Sequence, residues 1–322
     1  MNKKNRSILF ALLAALLFGM QAPFSKILLN KIDALFLASL LYLGAGLGML
    51  FVKAIELRLI PDRKELPLGK KDLPFVFLMI GLDIAAPILL LFGLQLSSAG
   101  TASLLVNFEV VATSILAMML FRETVGKRLW ISIALITLAS LLLSAGNLSD
   151  IRWSPGSVLI LAACFVWGLE NNCTRRLSSK DPLQIVIIKG LGSGTGSLIL
   201  AIIFGSLSGN AAYIPAALLL GFFAYGLSIF FYVKAQRELG AARTSAFYAG
   251  APFVGVLLSW IVLRETISYT FLLAFVMMLA GSAFLISEKR AYWHIHDHSI
   301  HRHSYTADPR HRSTHDHTHT NP

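Results

Sequence analysis

The sequence predicts an all-α integral membrane protein, with ten transmembrane helices arranged as two inverted five-helix repeats. The first observation is composition: the 322 residues are 56% hydrophobic and only 14% charged, whereas soluble domains carry about 25% charged residues. The second is that the apolar residues come in runs of about 18 to 24, long enough to cross a hydrocarbon core about 30 Å thick. The third is an internal repeat of short motifs.

The apolar runs predict helices, because they are too long and too uniformly apolar for the alternating strands of a membrane barrel. The first run is interpreted as a retained helix rather than a signal peptide, since it exceeds the length of a signal h-region and no cleavage site follows it. The predicted spans are 7–29, 35–54, 73–96, 99–121, 128–146, 155–173, 183–205, 214–234, 241–263 and 268–287.

The basic residues outside the spans predict the orientation of the chain. With the N-terminus in the cytoplasm, the cytoplasmic segments before the far tail hold 20 Lys and Arg residues, whereas the opposite face holds four: Lys26, Lys31, Arg152 and Arg264. This asymmetry accounts for the net charge of +11 without a nucleic-acid partner. We expect a multi-pass protein of the bacterial inner (cytoplasmic) membrane, with both termini in the cytoplasm.

Four motifs recur in the same order in the two halves of the chain. They are LLFGMQ (16–21) with FVWGLE (165–170), LGAGLG (43–48) with LGSGTG (191–196), AGTAS (99–103) with AARTS (241–245), and Arg-Glu-Thr at 122–124 and 264–266. We therefore expect two five-helix repeats, 1–146 and 155–288, followed by a tail at 289–322. Because five is odd, the second repeat enters the membrane from the other side. Such inverted repeats are typical of alternating access around a midplane site.

These features resemble the EamA-type family of the drug/metabolite transporter superfamily. The resemblance covers residues 7–287 and rests on the hydropathy, the repeat, Phe18-Gly19 and Trp167-Gly168, and the Glu that closes helices 4 and 9 (Glu123 and Glu265). It implies a secondary transporter, most often an exporter of small metabolites such as amino acids. Helix 4 departs from the family pattern, because Val110 stands where a proline is common.

Three charged residues inside apolar runs are the strongest candidates for a binding site: Asp83, Glu109 and Lys189. Each costs about 3 kcal/mol at the bilayer centre on insertion scales, so each is expected to face protein or water. Lys189 shares a helix face with Gly192, which predicts a contact with another helix. Its partner stays open between Asp83, Glu109 and Glu170. A purely structural ion pair is the alternative to a substrate or proton site.

Three prolines predict broken helices near the bilayer middle. Pro23, Pro87 and Pro252 leave the carbonyls four residues earlier without a helical N–H donor. In helix 3 that carbonyl belongs to Asp83, and a carboxylate beside a free carbonyl predicts a cation or amine site. An inert kink is the alternative.

Further polar and aromatic residues extend the candidate site. Helix 4 is too polar for lipid contact, which predicts that it lines the cavity and that Glu109 is the proton or substrate carboxylate. For the aromatic residues, packing or interfacial anchoring is the alternative. The remaining candidates for substrate or proton binding are Gln21, Ser103, Asn107, Trp167, Glu170, Tyr225 and Tyr248.

The Arg-Glu-Thr motifs and the glycines of helices 2 and 7 are interpreted mainly as structural features. In each motif the Thr is expected to cap the following helix, with the Glu near its positive end; a gating ion pair is the alternative. Glycines four residues apart in helices 2 and 7 predict close helix contacts.

All nine histidines lie after residue 293, in a polar tail expected to be disordered and cytoplasmic. His-x-His spacing with interspersed Asp is typical of weak binding of zinc, nickel, cobalt or copper. A solvated tail that binds metal only incidentally is the alternative. The predicted metal-binding residues are His294, His296, His298, His301, His303, His315, His317 and His319.

Two functional classes follow: a proton-coupled metabolite exporter, or a divalent-metal or metal-regulated transporter that uses the tail. The absence of His from every span argues against metal as cargo. An enzyme is not expected, because there is no G-x-x-x-x-G-K-[ST] loop and no His outside the tail to act as a base. We expect no cofactor. The expected partners are a small-molecule substrate, the lipid bilayer and protons, with weak divalent metal on the tail, no nucleic acid, and a homodimer left open.

Deletion of residues 294–322 is expected to leave basal transport intact and to change only its dependence on divalent metal, because no charged residue of the spans is removed. The measurement is flux with and without added zinc or nickel, for the full chain and the truncated chain at equal membrane abundance. An inactive truncated chain would contradict this view of the tail.

Overall fold

The computed structural model describes residues 3–59, 66–121, 126–147, 150–151, 154–177, 180–239, 248, 250–286, 292–296 and 299–303. Helices make up nearly all of these residues. In chain order they are α1 (Lys3–Gly19), α2 (Gln21–Leu29), α3 (Ala34–Leu59), α4 (Leu73–Gln95), α5 (Ala99–Leu105), α6 (Phe108–Phe121), α7 (Lys127–Ala145), α8 (Pro155–Leu177), α9 (Pro182–Ile203), α10 (Ile214–Leu220), α11 (Ser228–Leu239), α12 (Ala251–Leu263) and α13 (Tyr269–Ile286).

Short elements complete the described chain. One-turn 3₁₀ segments precede α4 and α10, and a π-helical segment, Gly221–Leu227, joins α10 to α11. Two small antiparallel hairpins also form. Their strands are β1 (Gly146–Asn147), β2 (Asp150–Ile151), β3 (Tyr292–His296) and β4 (Ser299–His303).

Apolar helices long enough to cross a membrane dominate the fold. Eight segments of the described chain have the required length and composition, and two shorter apolar helices, Ala251–Leu263 and Tyr269–Phe284, follow them. The bounds lie within a few residues of the predicted runs. The start of the ninth run, at 241–247, lies outside the described residues. The chain is thus a multi-pass helical membrane protein.

Helix breaks occur at two of the three places that the prolines predict. Helix 1 is interrupted at Met20, between α1 and α2. Pro252 is the second residue of α12, directly after a turn at Gly250, where proline is well tolerated. The predicted break in helix 3 is wrong, because α4 continues through Pro87. Proline removes one hydrogen bond there, and the bonds on either side keep the helix continuous.

Two further irregularities were not predicted. Helix 4 is interrupted by a turn at Val106 and Asn107, between α5 and α6. Helix 8 contains the π-helical segment, which includes Tyr225. π-Helical turns are rare and occur frequently at functional sites. The run of helix 4 holds no proline, and Pro215 in the run of helix 8 lies six residues before the π-helical segment, so no proline marks either irregularity.

Glycines allow α3 and α9 to cross in close contact. A Cβ atom at Gly46 would lie 2.6 Å from the Leu191 nitrogen, and one at Gly194 would lie 2.6 Å from the Leu43 nitrogen. The glycines spaced four apart make their close contacts elsewhere: a Cβ atom at Gly44 would overlap the Leu218 oxygen, and one at Gly192 would lie 2.6 Å from Ile80 Cδ1. The prediction of close glycine contacts is confirmed at these positions, since small residues let two helices approach.

The start of the tail differs from the expectation of disorder. Strands β3 and β4 pair antiparallel, with Ile295 opposite Ile300 and His294 opposite His301. The physical reason is local composition, because β-branched and aromatic residues that favour strands stand among the histidines. The remaining tail residues, including His298, His315, His317 and His319, lie outside the described residues. So does the first Arg-Glu-Thr motif, 122–124.

The substitution Gly46→Ala is expected to lower the free energy of unfolding by about 1–3 kcal/mol, because the added methyl group overpacks the α3–α9 crossing. The control is Gly81→Ala in α4, where a Cβ atom would have no neighbour within 4 Å. This control is expected to be neutral or slightly stabilising. Thermal unfolding in detergent measures both, and equal melting temperatures would contradict the proposed close contact.

Candidate functional site

A buried ion triad lies between α4, α8 and α9. The Lys189 Nζ atom is 3.0 Å from Asp83 Oδ2 and 3.1 Å from Glu170 Oε1. The side chains of Asp83 and Glu170 are 0% and 2% exposed, and that of Lys189 is 14% exposed. The structure therefore resolves the choice left open by the sequence: Lys189 pairs with two of the three predicted carboxylates at once.

A chain of polar contacts extends from the triad to helix 1. The Tyr42 hydroxyl donates to Asp83 Oδ1 at 3.0 Å. The Tyr42 ring lies 5.2 Å from the Tyr225 ring, centroid to centroid, and Gln21 Nε2 donates to the Tyr225 hydroxyl. Each of these polar groups thereby gains a partner in an apolar interior, where an unpaired group is costly. At the other end, the Thr174 hydroxyl donates to Glu170.

Glu109 forms a separate polar contact next to the triad. Asn171 Nδ2 donates to Glu109 Oε1 at 2.7 Å and to Thr113 Oγ1 at 3.2 Å. Asn171 directly follows Glu170 in α8, so one turn of this helix serves both carboxylate sites. Glu109 is the first acidic residue of α6 and lies in its first turn, where a negative charge is favoured by the helix dipole.

Close helix contacts hold these side chains together. The face of Lys189 meets α4, as its glycine neighbours predict: a Cβ atom at Gly192 would lie 2.6 Å from Ile80 Cδ1. On α8, a Cβ atom at Gly168 would lie 2.9 Å from Ala112 Cβ. The glycines of helices 6 and 7 therefore bring α8 against α6 and α9 against α4, which places Asp83, Glu109, Glu170 and Lys189 in one region.

Asn107, Tyr248 and Ser103 do not join these contacts, whereas Trp167 does, through a side-chain hydrogen bond with Tyr42. Asn107 Nδ2 lies 3.9 Å from Met278 Sδ, and Tyr248 stacks near Phe18, with ring centroids 5.4 Å apart. Ser103 lines a small cavity of about 20 Å³ together with Gln21. Trp167 is buried in the hydrophobic core. The assignment of Asn107, Tyr248 and Ser103 to a substrate or proton site stays a prediction.

Two residues of the network, Tyr42 and Thr174, were not singled out from the sequence. Tyr42 precedes the glycine motif of helix 2 in an apolar run, where a phenol is as often an anchor as a ligand. Its position next to the repeated glycine motif is the one sequence feature that indicates a contact with another helix. Thr174 lies one turn after Glu170, a spacing that puts both on one helix face.

The triad carries an unequal number of charges. Two carboxylates face one ammonium group, so the three groups sum to a charge of −1 when all are ionised. Such a site favours a proton or another cation, which would remove the excess charge. Among the residues whose side chains the structure describes, no group of three or more His, Cys, Asp and Glu is arranged to hold a metal ion.

The model of the EamA-like transporter family matches the chain twice, over residues 5–145 and over residues 154–287. The chain belongs to the EamA-like transporter family. This family is part of the drug/metabolite transporter superfamily, as the sequence motifs indicated. Its membership means a membrane transporter, with a small-molecule substrate and the lipid bilayer as partners.

Two relatives and one solved structure are similar to this EamA-family chain. A protein of Methanothermobacter thermautotrophicus, called an uncharacterized transporter, is 31% identical over 284 residues, which are 83% of this chain and 82% of that protein. The uncharacterized transporter YdfC of Bacillus subtilis is 32% identical over 122 residues, 38% of this chain and 37% of that one. A crystal structure with 16% identity matches 86% of this chain and 94% of its own, with a TM-score of 0.62, so the fold is shared.

Lys189→Gln is expected to destabilise this transporter more than Asp83→Asn does. The first leaves two buried carboxylates without a cation, whereas the second leaves the neutral pair of Lys189 and Glu170. Removing one partner from a buried pair costs about 3–5 kcal/mol, and Lys189→Gln is expected to approach that cost. Thermal unfolding in detergent at neutral pH measures both.

The control for this comparison is Lys180→Gln. It removes the ion pair of Lys180 with Asp72, which lies next to the apolar segments and has a nitrogen–oxygen distance of 3.3 Å. A small change is expected, because solvent screens this pair. If Asp83→Asn proves as damaging as Lys189→Gln, charge imbalance is not what governs the stability of the triad.

Proposed function

We propose that the chain is a proton-coupled exporter of small metabolites, such as amino acids, that works by alternating access between two inverted five-helix halves. Its place is the bacterial inner membrane, with both termini in the cytoplasm. The observation that carries the proposal is the buried triad of Lys189, Asp83 and Glu170, which joins α4 of the first half to α8 and α9 of the second.

The helix contacts support two halves related by a two-fold axis. Helix α3 contacts α9, and α7 contacts α13; in each pair the two members occupy matching places in the repeats. The contact of α4 with α8 has its counterpart in the contact of α11 with α1. Likewise, the contact of α6 with α8 corresponds to that of α12 with α1. The two separate matches of the family model fit the same division.

Individual glycine contacts support the same symmetry. Gly19 approaches Val254, and Gly168 approaches Ala112. An offset of 149 residues relates the two glycines and one of 142 relates their two partners, and these are the offsets of the sequence motifs. A contact made twice in this way is expected when one unit is present in two orientations.

The triad supports proton coupling through its charge. When one carboxyl group binds a proton, the remaining carboxylate and Lys189 form a neutral pair that can be buried at lower cost. When the proton leaves, the excess negative charge favours hydration or a cationic group of the cargo. Protonation thus changes the preference of the site for open and closed surroundings. Glu109, held by Asn171 in the neighbouring contact, is a second carboxylate that can take part.

The cargo is to be identified by mass spectrometry of metabolites and metals, in cells and medium, with and without overexpression of the chain. Loss of a metabolite from cells with its gain in the medium supports the exporter. A selective change in one divalent metal, with metabolites unchanged, would favour a metal transporter instead. Dissipating the proton gradient with an uncoupler then tests the coupling ion.

Asp83→Asn and Glu109→Gln are each expected to abolish this export while membrane abundance stays near that of the wild type. Each removes a carboxylate but keeps its shape and a hydrogen-bonding oxygen. The matched control is Asp72→Asn, the same chemical change next to the apolar segments, which is expected to leave export unchanged. Normal flux in both site variants would refute the assignment of the site.

A further inference from the structure

Glu265 binds the start of a helix that lies far away in the sequence. Its Oε1 atom accepts a hydrogen bond from the Ala99 amide at 2.7 Å, and its Oε2 atom accepts one from the Gly100 amide at 2.8 Å. These amides are among the first in α5 and have no carbonyl partner within their own helix. The helix that follows Glu265 is capped instead by Ser268, whose hydroxyl accepts from the Phe271 amide at 3.1 Å. The expectation that Thr266 caps the helix after its own motif is therefore wrong, and for Thr124 it lies outside the described residues.

Lys26 binds the other side of the same turn. Its Nζ atom donates to the carbonyl of Leu94, to that of Gln95 at 3.2 Å and to that of Ser97 at 2.6 Å. The carbonyls of Leu94 and Gln95 end α4, where a positive charge is favoured by the helix dipole, and that of Ser97 lies in the following turn. The turn that joins α4 to α5, residues 96–98, is thus held by a cation at the carbonyl side and by an anion at the amide side. We call Lys26, Glu265 and this turn the outer clamp.

Within the outer clamp, the bonds of Glu265 join the two halves of the chain, whereas those of Lys26 hold helix 1 to the turn inside the first half. Lys26 and the turn belong to the first half, whereas Glu265 belongs to the loop between α12 and α13 in the second half. The basic-residue distribution places this end of the molecule outside the cell. The clamp therefore fastens the halves to each other at the end opposite the cytoplasm.

The backbone next to Glu265 is strained. Arg264 has φ of +52°, the one non-glycine residue with positive φ in the described chain. That conformation costs a residue with a side chain about 1–2 kcal/mol, and such strain persists only where surrounding contacts enforce it. Arg264 is the C-cap of α12, where a left-handed residue commonly ends a helix. This turn of the backbone places Glu265 directly after the helix end.

There is space beside the clamp. An open cavity of about 320 Å³ lies there, lined among others by Glu265, Gly100, Trp260, Thr266, Ser268 and Thr270. Beneath the turn, the small cavity of about 20 Å³ is lined by Ala22 and Gln21, and Gln21 belongs to the polar network of the site. The clamp thus lies between the outer surface and the innermost polar residues of helix 1.

We propose that Lys26 and Glu265 hold the outer end of the transporter closed. The bonds of Lys26 to the end of α4 and the turn, and those of Glu265 to the start of α5, must both open before cargo can leave. This inference rests on the proposed alternating access. It gives Glu265 a role beyond helix capping, because the cap joins elements that alternating access moves apart. The repeat keeps the same residue types in the other half of the sequence, where Arg175 matches Lys26 and Glu123 matches Glu265.

The test is the accessibility of a single cysteine beneath the clamp, at Ala22→Cys, after replacement of Cys164 and Cys173 by serine. A membrane-impermeant maleimide is added to intact cells, and the rate of labelling is measured. Glu265→Gln is expected to raise this rate about tenfold, because a charge-assisted contact with two amides becomes a neutral one. Lys26→Gln acts on the other side of the turn and is expected to change the rate in the same direction.

The matched control is Ser268→Ala, which removes the cap of α13 from the same loop and leaves the clamp intact. An equal rise in this control would show that loosening the loop is sufficient, and would overturn the proposal. Unchanged labelling in both Glu265→Gln and Lys26→Gln would overturn it too. The labelling rate does not require cargo. If labelling is unchanged but export depends on Asp83, the clamp is refuted and the proposed function stands. If labelling rises but export does not depend on Asp83, the clamp stands and the proposed function is refuted.

Discussion

The ion triad of Lys189, Asp83 and Glu170 is the interaction on which the arrangement of the helices depends. A lone charge in the middle of an apolar helix is unstable in lipid, so α9 must place Lys189 against carboxylates, and α4 and α8 supply them. Since the three helices come from both halves of the chain, satisfying one charge also fixes how the halves meet. Tyr42 then satisfies the remaining oxygen of Asp83, and the polar network continues through the ring contact with Tyr225 to Gln21. The network is continuous because each group in an apolar interior requires a partner.

Glycine makes this meeting of charges possible. Ion pairs near 3 Å require helix axes that are closer than large side chains allow, and the contacts at Gly192 and Gly168 provide that approach on two sides of the triad. The same property appears at the α3–α9 crossing, where the two halves contact each other through Gly46 and Gly194. Close packing at small residues therefore stabilises the helix contacts, as hydrophobic burial does in soluble proteins. Lipid offers no hydrophobic gain for bringing two apolar helices together.

A transporter must keep its halves together and still let them move. The contacts that join the halves in this chain are polar at the centre and at the outer end: the triad in the middle, and Glu265 on the α5 amides at the surface. Hydrogen bonds and ion pairs of this kind are directional and few, so they can exchange with water, a proton or cargo. The glycine crossing, by contrast, is apolar and continuous, and it can remain as a pivot. This division between exchangeable polar contacts and an apolar contact fits the proposed alternating access.

Hydropathy, spacing and motif order are local properties of the chain, and they were enough to predict the membrane-spanning helices, the motif repeat, the family and the residues that need partners. Three contacts follow from the packed helices alone: Lys189 takes two partners, Gln21 reaches Tyr225 across 204 residues, and Glu265 caps α5 rather than the helix beside it. The prediction of a break at Pro87 failed, and the interruptions at Val106 and in the π-helical segment went unseen. In each case the outcome depends on which helix crosses which, at what distance, and that is a property of packing between segments far apart in the chain. The residue type indicates that a buried charge needs a partner. The geometry of the assembled helices determines which residue that partner is.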